Sequence, residues 1–524
     1  MEDNMKHLAT SFMPTRLTLS LSALVGLCLT GCSGPGDEGE SQNQVTPAAP
    51  TNPDQNGDGV VNILVLGTNA SINGAAFSPD QIAVELGTIL EADASFDGSV
   101  QVASRDLHKT KQVTLGLGQN GAEYTYAHHS HSLAQHYYWP EGQAERWADL
   151  SNEGDLVWDF VVIGADPYMV ATLPGYYALG VNKVAAKVAA GGAKPLLMML
   201  WSKGDASEAM AERFDHVTHR VANGAAVGLE MVPAGRAWHT LNEEKRDASN
   251  LHPTPHGAYL AAASIYSQIT NQSAAASDYT YDDELAEVAL RVVSDARGRS
   301  PSAQGQVPVS PFSGCEVDEE LISYNHTGSS SERGILDGLN WVFDQASETL
   351  QNGGESPINF NYGRANSNFE ANKRYQVDPA RFDFSFGFPM QDNGNRGDES
   401  MLYGLDHRDS GTINDTDIGV ARFMVDASEL PHARAVPVRT LFAQLREAIP
   451  GQSAFRDAWH MHRDLDKASG AFMYTLLTGK CVLGEEPGDR GSGEWKRWTA
   501  HKIGYETAWT LMHLEAAPPC PSAP

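Results

Sequence analysis

Two stretches of the chain put a histidine where it could serve a hydroxyl nucleophile. A serine hydroxyl attacks a carbonyl only when a base within hydrogen-bond reach takes its proton and a third group orients that base. His252 stands after a loop and just before a helix start, in NLHPTPHGAYLAAASIY, which is the place for such a base. Gly67 follows the apolar run NILVL and permits a sharp turn into the segment that holds Asn69 and Ser71. Farther on, Leu321-Ile322-Ser323-Tyr324 leads into Asn325-His326-Thr327-Gly328-Ser329-Ser330, a strand, a tight turn, a serine and then a helix. Asp457-Ala458-Trp459-His460 places a carboxylate three residues before an imidazole, ahead of an Ala-containing helix. Each feature also has an ordinary structural reading. Gly-Ser-Ser is common in helix-capping turns, and a loop histidine often binds a backbone carbonyl. A site shared between the two halves of the chain is a further alternative.

Other clusters point less clearly to chemistry. His128, His129, His131 and His136 lack the spacing of a tetrahedral metal site with carboxylates, so they read as a polar wall and no metal is assigned. Asp54-Gln55-Asn56-Gly57-Asp58-Gly59 begins like a calcium loop, with Asn62 at its ninth position. Its twelfth position is Val65, where such a loop needs a bidentate Glu. An Asn/Gly turn is the reading, with a structural calcium on Asp54, Asn56 and Asp58 as the alternative. Tyr137, Tyr138, Trp139, Trp147, Tyr168 and Tyr176 either pack in a core or line a cleft suited to a sugar.

The elements that would position these residues alternate in type. Asn62 to Leu66 and Phe160 to Ile163 are short apolar runs typical of buried parallel strands. Leu196 to Trp201 and Gly228 to Pro233 read as two more strands. A helix opens at Ser78-Pro79-Asp80-Gln81, with a cap at Ser78 and an inward face of Ile82, Leu86, Ile89 and Leu90. Further helices are expected over Val181 to Ala190, Ala206 to Ala222 and Gly257 to Ile269. Strands alternating with crossover helices predict a three-layer α/β/α sandwich with a mostly parallel sheet over residues 59–275. Residues 276–312 read as a linker with a short helix at Asp282 to Asp295, and 313–524 as a second α/β domain of mixed type. In that domain, helices are expected over Ser331 to Glu348, Val438 to Ala448, Ala468 to Leu477 and Thr507 to Ala516, whereas 350–420 shows no legible strands. VPAGRAWHTL followed by HPTPHGAYLAAASIYSQIT is faintly echoed by VPVRTLFAQL followed by DAWHMHRDLDKASGAFMYTLLTG. Either the chain is duplicated, or two Ala-containing closing helices simply look alike.

The chain's charge narrows its partners. The 524 residues carry a formal charge of −29, a poor match for nucleic acid or an anionic lipid surface. Its start holds Lys6, Arg16, a short apolar run from Leu17 to Leu29, and then Leu29-Thr30-Gly31-Cys32. A basic flank, a short apolar core and small residues are the parts of an export signal. The last four residues resemble the lipobox of bacterial lipoproteins. That resemblance implies a signal peptide over residues 1–31, lipidation of Cys32 and attachment to the membrane through an N-terminal lipid. With Ser33 next, it further implies an outer-membrane or cell-surface address in the envelope of a Gram-negative bacterium. Residues 32–58 are rich in Gly, Pro, Ser, Asn, Gln and Asp and read as a disordered tether. An oxidising compartment permits one disulfide among Cys315, Cys481 and Cys520, and Cys481 with Cys520 is the expected pair. No CxxC is present to suggest a thiol redox or zinc site.

On NILVLGTNASI, FVVIG, GGAKPLLMMLW and NLHPTPHGAYLAAASIY, the stretch 61–270 resembles the SGNH or GDSL-like hydrolases. The resemblance implies a flavodoxin-like fold, a serine esterase acting on an ester-bearing small molecule or glycan, and no cofactor. His252 matches the family's catalytic histidine. The other motifs depart. Asn69 stands where the family has its serine, so that either Ser71 is the nucleophile in a shifted loop or the nucleophile is absent. Ser249 occupies the orienting-Asp position, which leaves Asp247 as a substitute in a remodelled loop. The oxyanion glycine would fall near Ser130, and Gly164-Ala165-Asp166 replaces Gly-x-Asn. An ionised Asp166 accepts hydrogen bonds but donates none, and it would repel a developing oxyanion. The alternative to an esterase is thus an inactive surface lipoprotein that kept the fold to bind glycan or protein. The complete Asp457-x-x-His460, with Ser329, is the alternative site.

Overall fold

The computed structural model describes residues 51–67, 79–107, 110–117, 122–129, 133–138, 147–151, 158–164, 169–170, 174–201, 208–242, 244–246, 254–297, 321–327, 338–339, 341–342, 359–362, 384–387, 400–403, 433–451 and 463–520. The proposed signal peptide, Cys32 and the first part of the tether lie outside these residues. Among the described residues no helix is long and apolar enough to cross a membrane.

The first half begins with β1 (Val60–Gly67), α1 (Pro79–Glu91) and β2 (Ser99–Asp106). A hairpin of β3 (Thr110–Leu117) and β4 (Ala122–His129) follows, then α2 (Leu133–Tyr138). Next come β5 (Phe160–Gly164), α3 (Pro174–Ala190), β6 (Lys194–Met198), α4 (Glu208–Gly224) and β7 (Glu230–Val232). The half closes with α5 (Ala234–His239), α6 (Pro255–Thr270) and α7 (Asp283–Ala296). Five strands form one all-parallel sheet in the order β2-β1-β5-β6-β7. Counted along the chain, that is 2-1-3-4-5, the flavodoxin-like doubly wound order.

The apolar runs explain the layering. Side chains alternate across a strand, so Val61, Ile63 and Val65 enter one hydrophobic cluster while Leu64 and Leu66 enter another. The first cluster is completed by α1, α5, α6 and α7, the second by α2, α3 and α4. Both faces are covered, and this is why the strands read as continuous rather than alternating hydrophobics. The inward face read for α1 is buried at Ile82, Leu86, Ile89 and Leu90, each contributing roughly 1.5–3 kcal/mol.

The second half carries β8 (Leu321–Thr327), β9 (Asn359–Tyr362), β10 (Phe384–Gly387), β11 (Ser400–Tyr403) and β12 (Ala433–Val436). They pair in parallel in the order β9-β8-β10-β11-β12. Three helices follow: α8 (Val438–Ala448), α9 (Arg463–Thr478) and α10 (Gly493–His513). Their apolar residues, among them Leu441, Phe472, Met473 and Leu511, join the same cluster as α3 and α4. Contact is close: a Cβ on Gly175 of α3 would lie 2.6 Å from the Leu511 carbonyl oxygen. The disulfide joins Cys481 to Cys520, as expected, and closes the segment holding α10.

Several expectations change. β2 and the β3–β4 hairpin were not legible, because SVQVASRD and its successors are polar edge sequences. Strands β9, β10 and β11 are short pieces inside the stretch 350–420. The helix α10 begins at Gly493 rather than Thr507. It packs against α3, α8 and α9, so its apolar residues form no single stripe. The helix α7, read as part of a linker, buries Leu285, Ala286, Ala289 and Val292 in the core of the first sheet. Residues 51–58 of the supposed tether are docked. Thr51 N–H donates to the Thr270 carbonyl at 3.0 Å, and the Gln55 and Asn56 amides donate to Asp159 Oδ1 at 2.9 and 3.2 Å.

Candidate functional site

Parallel strands deliver all their following loops to one end. β1 stops at Gly67 and β5 at Gly164, neighbours in the sheet at the point where strand order reverses. A crevice opens at such a switch point, outside the carboxyl ends of the strands. Gly67 is buried, and its carbonyl accepts the Leu107 amide at 2.6 Å, which fixes where the chain leaves β1.

The helix α6 runs the opposite way. At its last turn the Gln268 amide donates to Glu230 Oε2 at 2.9 Å, and Glu230 is the first residue of β7. A helix of sixteen residues rises about 24 Å, so its amino end stands at the carboxyl end of the sheet. Thr254 caps that end, accepting the Gly257 amide on its hydroxyl at 3.2 Å. The approach to α6 is anchored as well. Trp238 Nε1 donates to the Arg246 carbonyl at 3.3 Å, and Lys245 forms an ion pair with Asp282, the cap residue of α7. Arg246 and Thr254, the described residues on either side of Asp247, Ser249 and His252 in the sequence, are thus both held by hydrogen bonds.

The floor beside this end is aromatic and tightly built. Trp201, just past β6, stacks on Trp238 with ring centroids 5.9 Å apart and planes 7° from parallel. Gly235 N–H donates to the Met199 carbonyl at 2.8 Å, and a Cβ there would sit 2.1 Å from the Leu200 oxygen. Only glycine lets α5 start this close to the exit of β6.

Of the residues assigned from sequence, Gly67 is where it was expected, at the end of β1. Ser71, Asn69, Ser130, Asp166, Asp247 and His252 lie outside the described residues. So do Ser329, Asp457 and His460. The described elements flank them: β1, β4, β5 and α6 in the first half, β8 and α9 in the second.

The calcium-like turn is described. Asp54 accepts the Gly57 and Gly59 amides at 2.7 and 2.9 Å, Asn56 accepts Asp58 N–H at 2.9 Å, and Asp58 accepts Val60 N–H at 2.8 Å. These oxygens thus shape the turn into β1, and Val65 is buried in the core. No cluster of three metal-ligating side chains occurs among the described residues. Tyr137, Tyr138, Trp147 and Tyr176 are packed in the core, which answers the choice between core and cleft for those four. Trp139, Tyr168 and His131 lie outside the description, and His136 is buried in α2.

Sequence reading missed two polar clusters. In one, Asp215 of α4 receives Arg236 at 2.9 Å and has His219 Nδ1 3.2 Å from its other oxygen. Burial alone would raise the Asp215 pKa, but the neighbouring His219 and Arg236 outweigh it and hold the carboxyl at about 2. His219 borders a cavity of about 540 Å³ with Lys194, Glu230, Gln268 and Arg297. That cavity lies at the amino ends of β5, β6 and β7, the end of the sheet opposite Gly67 and Gly164, and among the described residues no serine or cysteine lines it. In the other cluster, Glu447 of α8 accepts the Tyr137 hydroxyl at 2.6 Å and stands 3.5 Å from Lys183. Asp215 and His219 stand four apart on one helix, a spacing that could have been read, whereas the contacts to Arg236 and those of Glu447 with Tyr137 and Lys183 join separate segments and leave no sequence signal.

The chain matches no family model and no curated protein. Two solved structures are similar to parts of it. One is a protein from Slackia heliotrinireducens described as "a putative SGNH hydrolase", with 19% identity, a TM-score of 0.27, and coverage of 39% of this chain and 97% of that one. The other is a DUF4886 family protein from Bacteroides uniformis, with 13% identity, a TM-score of 0.28, and coverage of 47% and 97%.

Proposed function

We propose that this chain is an exported, lipid-anchored ester hydrolase of SGNH type, acting on acyl or acetyl esters such as those of a polysaccharide. One observation carries the reading. The strand that ends at Gly67 and the helix that begins just after His252 open onto the same end of a 2-1-3-4-5 sheet. In this reading Ser71 Oγ attacks the ester carbonyl while His252 takes its proton and then gives it to the leaving alkoxide. Water, deprotonated by the same imidazole, releases the acid and restores the serine. Asp247 orients the imidazole, and the turn after Gly67, with Asn69 and Ser130, forms the pocket for the oxyanion.

Purified mature chain should hydrolyse p-nitrophenyl acetate, and Ser71→Ala and His252→Ala should each lower the rate by about 100-fold or more. Hydrolysis that survives both substitutions would remove this assignment. The departures at Asn69, Ser249 and Asp166 favour a second reading, a surface lipoprotein that kept the fold to bind glycan or protein. The absence of hydrolysis across several acyl lengths would select it. The anchor is tested separately. Growth with an alkyne fatty acid should label the chain, and Cys32→Ser should abolish the label.

A further inference from the structure

We infer that the cavity at the amino ends of β5, β6 and β7 is a binding site of its own, at the end of the sheet opposite Gly67 and Gly164, and that it takes a small organic acid by its carboxylate and its apolar chain. The strands build its mouth. Phe160, Lys194 and Glu230 are the first residues of β5, β6 and β7, and all three line the cavity. The last turns of α4, α6 and α7 close it through Ala222, Ile269 and Ala296. Its volume of about 540 Å³ falls within the range of small-molecule sites, roughly 300–1,000 Å³.

The lining divides into two parts. Phe160, Ala222, Leu229 and Ile269 are apolar and buried. His219 is buried too, with its Nδ1 held 3.2 Å from Asp215 Oδ1. The other part is a connected polar wall. Lys194 Nζ lies 2.6 Å from Glu230 Oε1, and Glu230 Oε2 accepts the Gln268 amide at 2.9 Å. Arg297 Nη2 donates to the Ser267 and Gln268 carbonyls at 3.3 and 2.7 Å. Capping the end of α6 in this way occupies one nitrogen of the guanidinium. It does not account for the cavity in front of it.

One positive charge is left over. Glu230 is the one carboxylate among the described lining residues, and it balances Lys194. The contacts of Arg297 to carbonyl oxygens leave its charge uncancelled and further N–H groups to donate. Burial lowers its pKa, and Glu230 partly offsets this. In a chain of formal charge −29, a cavity with a surplus cation favours an anion over a neutral ligand. A single surplus charge suits a monocarboxylate better than a phosphate dianion, and a guanidinium meets a carboxylate with two N–H groups on two oxygens. The apolar floor adds the second requirement, a hydrocarbon body. The carboxylate therefore meets Arg297 and Lys194 while the chain of the acid covers Phe160, Leu229 and Ile269. Thr51 and Gln55 line the same cavity, and they are tied to the fold through the Thr270 carbonyl and Asp159. A ligand that touches them binds only the docked form of residues 51–58 and so favours it.

The test titrates the full chain with hexanoate, acetate and inorganic phosphate by calorimetry at pH 7. Hexanoate should bind with a Kd below about 1 mM. Acetate should bind about tenfold or more weakly, since each fully buried methylene tightens binding by up to about fourfold. Lys194→Gln and Arg297→Gln should each weaken hexanoate by about tenfold. Ala296→Trp should fill the cavity and abolish binding. Circular dichroism checks that each variant folds, and if one does not, the other two decide. Saturating hexanoate should also slow cleavage of residues 51–58 by proteinase K in the wild type and leave it unchanged in Ala296→Trp. A wild type that does not bind hexanoate overturns the proposal. So does an affinity indifferent to chain length, phosphate binding tighter than hexanoate, or full binding by a folded Ala296→Trp. None of these results bears on ester hydrolysis, because no residue proposed for that chemistry lines the cavity.

Discussion

Taking the folded chain from pH 7 to pH 5 should cost about 2 kcal/mol at one side chain, His501. This residue lies on α10, is 3% exposed, and meets the ring of Trp341 edge-on with centroids 5.6 Å apart. Burial lowers its pKa from 6.5 to about 4. Above pH 6.5 the ring is neutral in both folded and unfolded chains and contributes no pH dependence. Below that value the unfolded chain takes a proton that the folded chain refuses, so stability falls as pH drops. At pH 5 the difference is about 1.5 pH units' worth of protonation, or ~2 kcal/mol, rising to ~3 kcal/mol near pH 4. Urea unfolding of the wild type and His501→Gln, followed by tryptophan fluorescence, would measure it. Carboxylates titrate in both proteins and cancel in the comparison. The stability gap should move by ~2 kcal/mol in favour of His501→Gln between pH 7 and pH 5. A gap that stays constant with pH would refute the reasoning and mean that the site accepts the charged ring.

Other expectations follow from the same packing. Asp159, 3% exposed, holds the Asn62 amide at 2.8 Å besides those of Gln55 and Asn56. Asp159→Ala should therefore destabilise by roughly 3 kcal/mol and open residues 51–58 to limited proteolysis. The Asp215 carboxyl, held at about 2, contributes stability above pH 4 that is lost as pH falls toward 2. Asp215→Asn should flatten that acid limb in a series of thermal melts. Replacing Cys481 and Cys520 by serine opens a loop of 39 residues and should lower the unfolding free energy by about 4 kcal/mol, read by denaturant titration. Gly235→Val drives a side chain into the Leu200 carbonyl and should cost ~2 kcal/mol or more, measured as a lower urea midpoint.

Some of this protein was fixed by local sequence. Apolar runs such as NILVL and FVVIG specify strands covered on both faces, because a half-exposed strand would alternate. Thr254-Pro255 and Asp282 announce helix starts through side chains that satisfy the first free amides. The resemblance carried by HPTPHGAYL implied a parallel flavodoxin-like sheet, and the order proved to be 2-1-3-4-5. Other features depend on partners far apart in the chain, and no window of sequence holds them. The edge strand β2 is polar and gains its place only by pairing with β1. The helix α10 is enclosed by helices from both halves, so it shows no stripe to read. Above all, the parallel order 2-1-3-4-5 exists only in three dimensions, since folding alone brings five separate segments into a common register.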